Sequence, residues 1–224
     1  DIAIAAANAG KHVFCEKPLA MDATEAKEMY NVVKDKDLVH MLGHNYRRVP
    51  AIALAKRLIE QGKLGKIYHF RGVYLQDWIM DPEFPAIWKL DKEVAGSGPH
   101  GDLNAHIIDL SRYLVGEIDK VVGMQETFIR KRPKPAKEDK LKTMLTADKE
   151  DEIKYKEVNV DDMTAFLANF KNGAVGTFEA TRFAGGRKNH ERIEINGSKG
   201  SIVKKKKKMN ELLYWSKEDD LEVQ

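Results

Sequence analysis

The chain has 224 residues, 42% hydrophobic and 33% charged, with a formal net charge of +3 at pH 7. No apolar run approaches the ~20 residues that span a bilayer, and one cysteine excludes an intramolecular disulfide framework, so a reducing, cytoplasmic setting is the expectation. The basic excess is local: without the five lysines Lys204 to Lys208 the charge of +3 becomes −2. A general basic face for nucleic acid is therefore not expected.

In chain order, the pattern begins with a helix through Ala5 to Ala9 and a short apolar run, His12 to Cys15, that suits a buried parallel strand. Pro18 cannot join a strand ladder and holds Lys17 in an extended conformation beside Glu16. Asp22 and Glu25 have the spacing of a capping box, opening an amphipathic helix from Ala23 to Lys34, and Val39 to Tyr46 reads as a second strand. Helix, strand, helix, strand over residues 1–49 is the pattern of the end of a doubly wound domain.

From Pro50 a helix runs to Gln61 with Ile52, Ala55, Leu58 and Ile59 on one side, ended by Gly62. Strands are expected at Ile67 to Trp78, Val121 to Ile129, Met163 to Phe170, Ala174 to Arg182 and Arg192 to Asn196, with a strand-like NELLYW near the end. Asn172-Gly173 and Asn196-Gly197 are hairpin signals, and one long helix starts at Asp102. Residues 50–224 thus predict a mostly antiparallel open sheet with helices on one face. The Pro- and Lys-rich stretch 130–142 is expected to be an exposed, mobile connection, and Lys204 to Lys208 a solvated edge.

Two runs carry chemistry. Lys17 sits at a strand end, where ligands bind in open α/β sheets; the alternative is an exposed pair with Glu16. In GSGPHGDLNAHIIDLSRYLVGE, residues 96–117, Asp102, His106 and Asp109 fall on one helix face at i, i+4 and i+7. An imidazole one turn from a carboxylate suits acid and base catalysis, while an N-capping Asp102 with a partly buried His106 bonded to Asp109 is equally compatible. Cys15 reads as an ordinary strand cysteine, not a nucleophile.

The AGKHVFCEKP strand, GHNYRRVPAI at 43–52, the Gly-rich turn before Asp102 and the hairpins at 172–202, with Thr181-Arg182 and EINGSKGS, together resemble the Gfo/Idh/MocA family of nicotinamide-dependent oxidoreductases. The resemblance implies α/β plus α+β architecture. Residues 1–49 would be the remainder of a Rossmann-type NAD(P)-binding domain, and residues 50–224 a substrate-binding and oligomerisation sheet domain. It further implies that Lys17 polarises a reacting hydroxyl, His106 moves its proton and Asp102 positions substrate and base. Glu16, Lys17, Asn45, Trp88 and Lys89 would line NAD or NADP, and Tyr46, Arg47, Trp78 and Asp102 the substrate; no metal is implied. The Lys17-Pro18 bond is expected to be cis. Asn104 stands where the family pattern DxGxH has glycine, which leaves substrate identity open.

The implied activity is NAD(P)-dependent oxidation of a sugar, cyclitol or related polyol. The alternatives are an NAD-dependent glycosidase of the same fold and a catalytically silent, sheet-mediated association module. A homo-oligomer with a small-molecule substrate, and no membrane partner, is expected. No GxGxxG phosphate turn is expected within these residues, so the chain reads as an internal piece of a longer member, inactive and weak in cofactor binding by itself.

Overall fold

The computed structural model describes residues 1–135 and 155–218. Its first part contains α1 (Ile2–Asn8), β1 (Val13–Cys15), α2 (Ala23–Asp35) and β2 (His40–Leu42), and β1 pairs with β2 in parallel. Asp22 Oδ1 accepts from the Thr24 and Glu25 amides at 2.7 and 2.9 Å, while Glu25 Oε2 accepts from Met21 N at 3.0 Å. The Asp22 cap therefore forms as its spacing predicts, while Glu25 reaches the amide one residue before the cap and not that of Asp22 itself. The Lys17-Pro18 peptide is cis.

Two expectations here need correction. β1 is parallel but not buried, since Phe14 is 65% exposed. The second strand stops at Leu42, because Asn45–Arg48 turns into a 3-10 segment leading to α3 (Pro50–Glu60). Pro50 occupies the first turn of α3, where its missing N–H leaves no hydrogen bond unmade.

A seven-stranded sheet organises the rest. It is built from β3 (Ile67–Leu75), β4 (Ile118–Glu126), β7 (Met163–Phe170), β8 (Val175–Thr181), β9 (His190–Gly197), β10 (Gly200–Lys205) and β11 (Leu212–Ser216). The spatial order is β11-β10-β9-β3-β8-β7-β4, and only the β3–β8 pair is parallel. Asn172-Gly173 makes the predicted β7–β8 turn, with Asn172 Oδ1 accepting from Ala174 N at 3.0 Å and Gly173 at φ 88°. The β9–β10 turn lies two residues beyond its predicted place, at Ser198-Lys199, with Asn196 and Gly197 still in strand β9.

Alternation puts Phe70, Phe170, Phe178, Ile193, Ile195 and Ile202 on one face. Phe166 and Phe178, register partners across β7–β8, stack at 4.3 Å. Helices α3 and α5 (Ala105–Leu114) cover this face through Ile52, Ala55, Ile107, Leu110 and Leu114. Full burial of such aliphatic side chains contributes roughly 1.5–3 kcal/mol each. Gly72 permits the close approach of α5, since a Cβ there would lie 2.1 Å from Ile107 Cγ2.

Two basic segments depart from expectation. β10 is not an edge, because β11 pairs beyond it, and Lys204 points into the core at 2% exposure to bond Glu191 Oε1 at 2.9 Å. The physical reason is register: Lys204 follows Ile202 by two residues and shares its inward face. In the predicted mobile connection, Lys131–Pro133 (β5) pairs with Tyr155–Glu157 (β6). The buried Arg132 guanidinium there donates to Asp81 O at 2.7 Å and to Ile79 O. The remainder of that stretch, from residue 136, lies outside the described residues.

Candidate active site

Lys17 follows β1, Asp102 lies in a π-helical turn (His100–Asn104) ahead of α5, and His106 occupies the first turn of α5. The fold brings the first two into contact. Lys17 Nζ donates to Asp102 Oδ1 at 2.9 Å and to Asp102 O at 2.7 Å. Lys17 is thus paired with Asp102, 85 positions away in the chain, and not with its neighbour Glu16.

The second Asp102 oxygen, Oδ2, accepts from Arg182 Nη2 at 2.8 Å and lies 3.5 Å from Lys89 Nζ. Burial acts to raise the Asp102 pKa, but the hydrogen bonds and charges of Lys17 and Arg182 outweigh it and hold the carboxyl well below the usual carboxylate range. These groups line a cavity of about 300 Å³ together with Pro18, Trp88 and Ser97.

His106 stacks on Tyr46 with ring centroids 4.2 Å apart. Burial, and then the positive charges of Lys17, Lys206 and His44, push its pKa down to about 4 against the pull of Asp102. The ring is therefore neutral at pH 7, the form that accepts a proton. Its Nδ1 is buried with no hydrogen-bond partner among the described residues, so the alternative in which Asp109 satisfies this nitrogen is not realised. Asp109 instead receives Arg47 Nε at 2.8 Å and lies 3.7 Å from His44 Nε2.

The residues assigned from sequence separate into two groups. Lys17, Trp88, Lys89 and Asp102 share the first cavity, and Trp78 adjoins it by stacking on the Arg182 guanidinium at 5.1 Å. Asn45 and Arg47 line a different cleft with Phe14, Met41, His44 and Asp109. Arg47 is committed to Asp109 and to the Tyr113 ring, so its expected substrate role lacks support at the Lys17 cavity. Glu16 packs behind Gly43, where a Cβ would stand 3.1 Å from Glu16 Oε2.

Sequence reading missed Arg182, Tyr74 and Lys206 as members of the site. Lys206 donates to the hydroxyls of both Tyr46 and Tyr74, which lie 3.2 Å apart. Alternation from Ile202 through Lys204 was a usable signal that Lys206 points inward, outweighed in the sequence by the charge of the five-lysine run. The Thr181-Arg182 dipeptide was a usable signal for Arg182, since a cation at the end of an inward-facing strand needs a buried partner.

The letters of a GxGxxG turn do occur, at Gly96–Gly101, contrary to the expectation that the chain has none. They follow a short helix, α4 (Lys92–Ala95), and no strand. Their amides are also engaged: Asp161 accepts from Gly98 N at 2.7 Å and His100 N at 2.8 Å, and Ser97 Oγ from Gly101 N at 2.9 Å. A carboxylate thus stands where a phosphate would bind. The donor set suits instead the nicotinamide and ribose end of a dinucleotide, with a 61% exposed Trp88 indole for stacking and the Lys17 and Lys89 ammoniums for hydroxyl oxygens.

Two family descriptions match: "GFO/IDH/MocA C-terminal domain" over residues 52–203 and "Oxidoreductase family, NAD-binding Rossmann fold" over residues 1–44. The chain belongs to the Gfo/Idh/MocA family. It is 50% identical over 213 residues to levoglucosan dehydrogenase of Pseudarthrobacter phenanthrenivorans, covering 95% of this chain and 54% of that protein. Among solved structures, levoglucosan dehydrogenase in complex with NADH and levoglucosan superposes with a TM-score of 0.87 at 47% identity, over 99% of this chain and 55% of that one. An oxidoreductase domain protein from Kribbella flavida gives 0.89 at 49% identity, over 99% and 56%. The chain spans about half the length of the curated relatives it matches. Among the described residues, no helix is long and apolar enough to cross a membrane.

Proposed function

We propose that the protein oxidises a secondary hydroxyl of a sugar, anhydrosugar or cyclitol with NAD or NADP. The observation that carries this reading is that an ammonium and an ionised carboxylate from distant segments meet in one cavity, with a neutral imidazole four residues beyond that carboxylate and within electrostatic reach of both. Relatives named for levoglucosan and myo-inositol support the class, with an anhydrosugar first because of the 50% identity.

In this reading Lys17 donates a hydrogen bond to the reacting hydroxyl oxygen and stabilises negative charge developing on it. Neutral His106 accepts the hydroxyl proton. Asp102 fixes the Lys17 ammonium and offers an acceptor to a neighbouring hydroxyl. Trp88 and Lys89 hold the nicotinamide ribose with Lys17, and Tyr46 supports the His106 ring. The bound nicotinamide supplies the hydride acceptor. Residues 1–49 would then serve the nucleotide and 50–224 the substrate and self-association. The exposed sheet face containing Val122, Met124 and Leu167 supports association into a homo-oligomer.

The test is turnover of the full-length protein with NAD or NADP on levoglucosan, myo-inositol and free hexoses, followed by the absorbance of reduced nicotinamide. Stoichiometric reduction with one of these polyols is expected. Release of sugar from a glycoside without net cofactor reduction would replace this reading with the glycosidase.

A further inference from the structure

We infer that Arg182 is a positioning residue of this site, acting through Asp102 to fix the orientation and charge of that carboxylate. The inference deepens the dehydrogenase reading and rests on it. Arg182 is 1% exposed, yet its side chain reaches the cavity wall, so it touches Asp102 and not bulk solvent. Its Nη2 holds Asp102 Oδ2 at 2.8 Å, with Lys89 farther off at 3.5 Å, while Lys17 holds Oδ1 at 2.9 Å. Two such contacts set the carboxylate plane, and rotation of Asp102 would leave a buried guanidinium unpaired, which is costly.

Arg182 is itself held on several sides. Its guanidinium lies over the Trp78 indole at 5.1 Å, and its backbone N donates to Asp162 O at 3.2 Å. Thr181 Oγ1 bonds the same carbonyl at 2.9 Å. The anchor therefore comes from the end of β8, a central strand of the sheet, and is more rigid than the flexible lysines opposite. The charged and titratable groups facing Asp102 are Lys17 after β1, Lys89 before α4, Arg182 after β8, Tyr74 on β3 and His106 on the following turn.

The experiment uses the full-length protein with Arg182→Met and Arg182→Lys, checked for folding by thermal melting. Two readouts are taken: the titration of the Asp102 carboxyl carbon by NMR, and kcat, KM and pH profile with NAD or NADP and the polyol. Arg182→Met is expected to move the Asp102 midpoint up by about one pH unit or more. It should lower kcat on the order of 10²-fold with little change in cofactor KM. Arg182→Lys should recover much of both. An unchanged Asp102 titration in a folded Arg182→Met would overturn the inference, as would an Arg182→Lys that folds but recovers neither the midpoint nor kcat. Should the wild-type protein reduce no cofactor with any polyol, the dehydrogenase reading falls, and the NMR titration still decides the coupling of Arg182 to Asp102. Should Arg182→Met fail to fold, Arg182→Gln takes its place, and an Asp102 midpoint unchanged from wild type in that folded variant refutes the inference.

Discussion

Lys17 and His106 are not equivalent in this site, and their variants should differ in kind. Lys17→Ala removes the donor to the reacting oxygen and leaves Asp102 with Arg182 and Lys89; His106→Ala removes only the proton acceptor. Each is expected to lower kcat by about 10²–10⁴-fold, with NAD(P) binding by fluorescence titration changed far less for His106→Ala. Near-normal turnover in His106→Ala would return that residue to a structural role. The imidazole also makes a pH prediction. Its pKa lies near 4 in the fold against 6.5 in the unfolded chain, so between those values the unfolded state binds the proton and the folded state does not. Stability should rise with pH through that window, the contribution being complete above 6.5 and lost as pH falls toward 4. Imidazole NMR shifts that show His106 protonating near pH 6.5 in the folded protein would contradict this. Asp102 and His106 were legible in sequence because one helix face displays both. Their partners were not, since Asp102 meets Lys17 and Arg182 only after distant strands assemble, and Asp109 turns to Arg47 through a contact 62 positions apart.

At the scale of elements, the most legible parts were those with local chemistry: the Asp22 cap, Pro50 opening α3, and Asn172-Gly173 between two alternating strands. Legibility failed where an element's neighbour decides burial. Five lysines read as solvent-facing, yet β11 pairs beyond β10 so that it is no edge, and alternation after Ile202 puts Lys204 inward against Glu191, itself fully buried. Glu191→Ala leaves that ammonium unpaired in the core and should cost about 3–5 kcal/mol in urea unfolding. Replacing both partners by Lys204→Met with Glu191→Leu should cost far less, because it removes the desolvation of two charges along with their attraction. Equal destabilisation by the single and double variants would show that the pair supplies net stability. Gly72 tests packing on the same sheet: Gly72→Ala places a methyl 2.1 Å from Ile107 Cγ2 and should destabilise by about 1–3 kcal/mol as α5 lifts.

For the molecule as a whole, the two faces of the large sheet differ. One is buried under α3 and α5, while the other presents Val122, Met124, Leu167 and Val175 to solvent beside Arg71 and Glu179. Alternation fixes this: Val122 pairs with Leu167, which pairs with Thr177 and, across β8, with Arg71, all projecting away from the helices. An apolar centre rimmed by charge is the composition of a protein interface, and a broad sheet face can bury the area a stable dimer requires. The full-length protein is therefore expected to elute as a homo-oligomer in size-exclusion chromatography with light scattering. Met124→Lys with Leu167→Lys puts like charges on this face, so the double variant should dissociate while keeping the melting behaviour of a folded subunit. A wild-type monomer at micromolar concentration, or an oligomer untouched by both lysines, would assign the apolar face to something other than self-association.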